Sequence, residues 1–162
     1  MKIFGIAGWS GSGKTTLLTR LIPALVRRGL SVATVKHTHH NPAVGDAESR
    51  ALAAAGATEM MMASPRRFAL IHELGDEPEP GLPDLVSRFH GIDLLLIEGF
   101  KWAPHPKLEV WDPDLGKSLL AREEGSIAAL VTDAEVGGVT LPRFARDDIQ
   151  GITDFICKFC NL

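Results

Sequence analysis

The segment Gly8-Trp-Ser-Gly-Ser-Gly-Lys14-Thr15-Thr16 constrains this chain more than any other. It follows a short apolar run, Lys2 to Ala7, and opens a stripe of Leu17, Leu18, Leu21, Ile22 and Leu25 at helical spacing that ends at Gly29. Gly8, Gly13, Lys14 and Thr15 fit the pattern Gly-x-x-x-x-Gly-Lys-Ser/Thr between a strand and a helix. In such a turn the backbone N–H groups curl around a phosphate, and Gly8, Gly11 and Gly13 lack the Cβ atoms that would obstruct it. The helix N-terminus adds partial positive charge toward the same anion. Lys14 is the candidate to reach the β- and γ-phosphates, and the Thr15 hydroxyl is the candidate Mg²⁺ ligand. The spacing predicts a nucleotide triphosphate site.

The rest of the chain supports the fold such a loop requires. Strand-like segments are expected at Ser31 to Lys36, Thr58 to Ala63, Phe68 to His72, Ile92 to Ile97, Lys107 to Trp111 and Ile127 to Thr132. Helices are expected at Lys14 to Arg28, kinked at Pro23, and at Glu48 to Ala55, Leu82 to His90 and Asp147 to Phe159. Fully apolar strands separated by amphipathic helices indicate an α/β fold, a mostly parallel sheet with helices on both faces. Phe68 to His72 and Lys107 to Trp111 alternate more and read as antiparallel or edge strands. At 162 residues, one domain spanning 1–162 is expected. With 45% hydrophobic residues and a net charge of -3, the chain matches neither a disordered segment nor a basic nucleic-acid binder. No apolar run reaches the ~18 residues of a membrane span, and Met1 to Ala7 lacks a signal-peptide pattern, so a cytoplasmic location is expected.

Further candidates gather around the predicted carboxyl ends of the strands, where ligands bind in open α/β sheets. Glu98 ends the Ile92 strand and is the candidate to hold Mg²⁺ or to orient an attacking water. Asp93, at the other end of that strand, reads as a cap or turn residue. His37, His39 and His40 follow the second strand and admit three readings: a transition-metal site, donors to an anionic ligand, or a solvated turn. Asp46 and Glu48, just downstream, are candidates for a switch segment near the γ-phosphate. The loop Gly99 to Lys107 carries Phe100, Lys101, Trp102, Pro104 and Pro106 and suits a second anionic, partly aromatic ligand or a partner protein. Cys157 and Cys160 fall on the last helix and read as ordinary buried thiols.

Taken together, the phosphate loop, Val35-Lys-His-Thr-His-His40, Ala55-Gly-Ala57, Arg67-Phe-Ala-Leu70, Ile97-Glu-Gly-Phe-Lys101, Pro106-Lys-Leu-Glu-Val110 and Phe144-Ala-Arg-Asp-Asp148 resemble the molybdopterin-guanine dinucleotide biosynthesis adapter family, MobB. The resemblance implies a three-layer P-loop NTPase-like domain that forms a homodimer, binds GTP with Mg²⁺ and hydrolyses it weakly. It also implies service to the guanylyltransferase that joins GMP to molybdopterin. On that basis Gly8, Ser10, Gly11, Ser12, Gly13, Lys14, Thr15 and Thr16 would bind the triphosphate, and Glu98 would lie by the metal. His37, His39 and Lys101 become candidates for the pterin or the dimer groove. Where the family usually has Asp-Ser before a nearby Arg, this chain has Glu48-Ser49-Arg50.

Guanine has a separate candidate in Asp133, at the end of the last apolar strand, whose carboxylate can accept from the ring N1–H and the exocyclic amine. The alternative for Asp133 is an ordinary turn aspartate, and the Asn-Lys pair of many GTPases is absent. Two other functions compete. A small-molecule kinase would use the same loop but needs an arginine-bearing lid, which no segment supplies clearly. A metallochaperone would rest on the histidine cluster alone.

Overall fold

The computed structural model describes residues 1–38 and 44–162, so His39 and His40 lie outside the described residues. The elements run β1 (Lys2–Ala7), α1 (Lys14–Arg27), β2 (Val32–Lys36), α2 (Ala47–Ala54), β3 (Glu59–Ser64), β4 (Arg67–His72), α3 (Leu82–Val86), β5 (Leu94–Glu98), β6 (Lys107–Val110), β7 (Ile127–Val131), β8 (Arg143–Phe144) and α4 (Ile149–Cys160). They form two compact units, Met1–His37 with Leu82–Leu162, and Thr38–Gly81.

In the larger unit six strands make one sheet in the order β2-β5-β1-β6-β7-β8, and every pairing is parallel. Strands that place apolar side chains on both faces need cover on both. Phe4, Ile6, Leu94, Leu96, Leu108 and Val110 pack on one face with Leu17, Leu21 and Leu25 of α1 and Ile152 and Ile156 of α4. Leu95, Ile97 and Val35 face the other way, beneath Leu82, Leu85 and Val86 of α3. Burying each such side chain contributes roughly 1.5–3 kcal/mol, and this two-sided core holds the strand ends in place. The α/β class, the parallel sheet and the helices on both faces are as expected.

Two elements depart from expectation. Lys107 to Val110 alternates like an edge strand, yet β6 is central, parallel to both β1 and β7 and buried throughout. Leu108 and Val110 enter the α1–α4 face, and the alternate residues bury polar groups that loops satisfy instead of water. The Lys107 ammonium donates to the Ala103 carbonyl at 2.6 Å and to the Ser126 hydroxyl. The Glu109 carboxylate accepts the Leu120 and Ala121 N–H groups at 2.8 and 2.9 Å. Burial pushes the Lys107 amine down, opposed by the charge of Glu124, and pushes the Glu109 carboxyl up, opposed by the Leu120 and Ala121 N–H groups. Second, α3 stops at Val86 rather than His90, because Arg88 and Phe89 close tighter turns onto the Leu85 and Val86 carbonyls. The helix α1 runs from Lys14 to Arg27 with Pro23 inside it, one residue short of the expected end.

Next to β6, Gly5 of β1 makes room for a side chain from another segment. A Cβ there would overlap His105 Nε2 and lie 2.7 Å from the Lys107 Cβ. Both ring nitrogens of His105 are buried without a hydrogen-bond partner. Burial, reinforced by the Lys107 charge and opposed by Glu124, holds the ring's pKa down at about 4.

At the chain's end, Asp148 caps α4 by accepting the Gly151 N–H at 2.9 Å. Cys157 and Cys160 are free thiols buried in the core, as the sequence predicts. Asp93 also behaves as expected, accepting from the Ser31 N–H and hydroxyl at 2.9 and 2.7 Å.

The smaller unit is an antiparallel β3–β4 hairpin with α2. Asp46 caps α2, accepting both the N–H and the hydroxyl of Ser49 at 2.8 Å, and those bonds hold its carboxyl below the usual range. Ser49 and Met62 tie α2 to one face of the hairpin. Met61 and Phe68, on the other face, are 65% and 73% exposed, and Leu70 lies opposite Met61 in register. No helix among the described residues is long and apolar enough to cross a membrane.

Candidate nucleotide site

Parallel strands deliver their carboxyl ends to one edge of the sheet, and there β1 runs into Gly8, β2 into His37, β5 into Gly99, β6 into Trp111 and β7 into Thr132. The phosphate loop starts with Gly8 at φ 137°, buried against β6. A Cβ at Gly8 would overlap the Val110 carbonyl oxygen and lie 2.7 Å from Ser12 Oγ, so the turn requires glycine for space as well as for backbone angle. Gly13 caps α1 without any side-chain hydrogen bond, leaving the first N–H groups of the helix to a ligand. The Ser12 hydroxyl is buried and has no partner, a cost that an incoming phosphate oxygen would remove. Ser10, Gly11, Thr15 and Thr16 are exposed along the same loop.

Lys14 bends back, its ammonium donating to the Trp9 carbonyl at 2.8 Å. Burial pushes its pKa down, Glu98 pulls it up, and the charges of Lys101 and Lys36 push it further down. An anion in the loop would relieve that strain. Beside it the Thr15 hydroxyl donates to Glu98 Oε1 at 2.9 Å, and Lys36 lies 3.2 Å from the same oxygen and 3.3 Å from Thr15 Oγ1. Glu98 is only 8% exposed, so this is a nearly buried carboxylate already drawing a cation and a hydroxyl together. Hard oxygen donors in that relation fit Mg²⁺.

The other sequence candidates are placed as follows. His37 donates its N–H to the Glu98 carbonyl at 2.9 Å, and its ring lies 4.5 Å from Phe100. Lys101 reaches the phosphate loop from β5, its ammonium 4.0 Å above the Trp9 ring. Asp133 stands at the end of β7, where Oδ1 accepts the Arg146 N–H at 2.9 Å. Among the described residues no group of three or more His, Cys, Asp or Glu is arranged to hold a metal. Asp46 and Glu48 belong to the smaller unit.

Arg146 is the residue that sequence reasoning passes over. Its guanidinium donates to the Trp111 carbonyl at 3.0 Å, pairs with Asp112 at 3.2 Å and lies 3.9 Å from Asp133. One of its nitrogens is 3.6 Å from where a Cβ on Gly13 would be. One side chain therefore links the ends of β6 and β7 to the start of α1. Lys36 is also missed, although its place as the last residue of a strand facing Glu98 could have marked it.

Residues 3–133 match the family model described as Molybdopterin guanine dinucleotide synthesis protein B, MobB. The chain belongs to the MobB family. It is 35% identical over 164 residues to the molybdopterin-guanine dinucleotide biosynthesis adapter protein of Escherichia coli (strain K12), covering 97% of this chain and 92% of that one. The adapter protein of Haemophilus influenzae is 38% identical over 131 residues, with 78% of this chain and 72% of that one covered. A crystal structure titled molybdopterin-guanine biosynthesis protein B superposes with a TM-score of 0.76 at 33% identity, over 97% of this chain and 99% of the other. The family resemblance drawn from the motifs is borne out along nearly the full chain, and the MobB fold it implied is the fold observed. No finding favours the kinase alternative.

Proposed function

We propose that this MobB-family protein is a GTP-binding adapter in the biosynthesis of molybdopterin-guanine dinucleotide, hydrolysing GTP weakly and assisting the guanylyltransferase. The observation that carries the nucleotide reading is the contact of Thr15 with Glu98 at 2.9 Å directly beside a glycine loop whose Ser12 hydroxyl is buried and unpartnered. In this reading Gly8 to Thr16 hold the triphosphate, and Lys14 exchanges the Trp9 carbonyl for phosphate oxygens. Thr15 and Glu98 hold Mg²⁺, which supplies Lewis-acid charge to the phosphates when bound. Slow turnover follows from the engagement of Glu98, whose Oε1 is held by Thr15 and Lys36 rather than left as a free general base. Asp133 reads guanine at the end of β7, with Oδ1 fixed by the Arg146 N–H. Lys101 and the His37–Phe100 pair, beside the loop, are the proposed contacts for molybdopterin. A homodimer is supported by the hairpin, whose exposed Met61, Phe68 and Leu70 share one apolar face.

The test is a titration of the purified protein with fluorescent GTP and ATP analogues plus Mg²⁺, followed by turnover with and without molybdopterin and the guanylyltransferase. GTP is expected to bind at least tenfold tighter than ATP, and the pair of partners to change its turnover. Lys14→Ala is expected to abolish triphosphate binding while its thermal unfolding stays cooperative. ATP preference with transfer to a small acceptor would sink the adapter reading.

A further inference from the structure

Lys36 ends β2, Glu98 ends β5, and the two are register partners in a parallel pair. Both side chains therefore leave the same face of the sheet at neighbouring strand ends. Lys36 Nζ lies 3.2 Å from Glu98 Oε1 and 3.3 Å from Thr15 Oγ1, while the Thr15 hydroxyl donates to the same carboxylate oxygen at 2.9 Å. The ammonium thus touches both of the side chains assigned to Mg²⁺. The partners differ in freedom. The Glu98 side chain is 10% exposed, whereas that of Lys36 is 57% exposed. The backbone between them is pinned, because the His37 N–H donates to the Glu98 carbonyl at 2.9 Å. Carboxylate and strand end are fixed, and the lysine stem is the part that can move.

Two cations do not share these two oxygens. Mg²⁺ demands near-ideal octahedral oxygen donors at about 2.0–2.1 Å, and an ammonium beside it would meet strong like-charge repulsion in a poorly solvated site. An ion pair exposed on one side adds little to folding. Folding alone also gives no reason for the ammonium to reach Thr15 as well as Glu98. Lysine suits exchange, since its charge is a compact point on a flexible four-carbon stem rather than a planar fork. We propose that Lys36 is an exchangeable counter-cation of the metal position, which holds Thr15 and Glu98 until a divalent cation displaces it. Lys36 thereby sets the cation concentration at which the position fills. Glu98 keeps a cationic partner on either side of the exchange, so it is a free base in neither form. The inference rests on the assignment of Thr15 and Glu98 to Mg²⁺ under the proposed function, and it adds how that position is regulated.

The experiment titrates the nucleotide-free full chain with Mn²⁺, a divalent cation suited to oxygen donors, and counts the unbound ion by electron paramagnetic resonance. Lys36→Gln removes the competitor and its repulsion, and is expected to bind Mn²⁺ about fivefold tighter than the parent, or better. Lys36→Arg keeps the charge and is expected to stay within about twofold of the parent. The gain is expected to vanish when Lys36→Gln is combined with Glu98→Gln. The proposal is overturned if Lys36→Gln binds Mn²⁺ no tighter than the parent, if Lys36→Arg gains as much as Lys36→Gln, or if the gain survives loss of the Glu98 carboxylate. Triphosphate binding by the parent is measured separately. Its failure counts against the proposed function, whereas the Mn²⁺ comparison needs no nucleotide and decides the exchange either way.

Discussion

A methyl group at position 8 would meet the Val110 carbonyl oxygen and the Ser12 hydroxyl at a φ of 137°, which L-residues with a side chain rarely adopt. Gly8→Ala is therefore expected to cost about 2–4 kcal/mol and to lower triphosphate affinity at least tenfold, measured by urea denaturation and by nucleotide titration. His105 gives a second prediction at this scale. Its pKa is about 4 in the fold against 6.5 ordinarily, so the unfolded chain takes up the proton first as pH falls. The contribution is complete above pH 6.5 and is lost on the way down to about 4, by at most about 3 kcal/mol. Lys107 and Glu124 are the charges facing the ring, and the raised carboxyl of Glu109 acts with the opposite sign, taking a proton first in the fold. Thermal unfolding from pH 7 to 4 checks this, with His105→Leu expected to give a flatter profile than the parent.

At the scale of elements, Arg146 joins β8 to the ends of β6 and β7 through Asp112, Asp133 and the Trp111 carbonyl. About a third of its side chain is exposed, which screens part of the attraction. Arg146→Ala is expected to destabilise the fold by about 1–2 kcal/mol and weaken triphosphate binding severalfold. Lys at this position should recover only part of either, since a compact ammonium lacks the planar guanidinium's spread of donors across the Trp111 carbonyl and Asp112. The phosphate loop and Glu98 were legible from sequence because their chemistry lies in contiguous residues at a strand end. Arg146 was not, because its meaning depends on residues 112 and 133, which only the strand order brings beside it. The position of β6 was hidden for a related reason. The alternation of Lys107 and Glu109 with apolar residues reads as an edge strand, and the Ala103 carbonyl, the Ser126 hydroxyl and the amides of Leu120 and Ala121 are what make their burial tolerable.

For the molecule as a whole, the hairpin's exposed apolar face is where the proposed homodimer would form. Phe68→Glu is expected to shift the protein toward a monomer in analytical ultracentrifugation, weakening self-association at least tenfold, without loss of triphosphate binding. The family was readable from motifs spread over the whole chain, whereas this face was not, since Met61 and Leu70 become neighbours only through the antiparallel register.

The missing side chain at Gly5 has a historical consequence. His105 fills the space that any larger residue at position 5 would need, so substitutions at the two positions are expected to be coupled. Gly5→Ala alone meets the imidazole, whereas a smaller residue at 105 first opens a void that the methyl can then use. Substitutions at 5 should therefore be admissible in one order and not the other, and lineages that have shrunk residue 105 should be free to sample alanine or serine in β1.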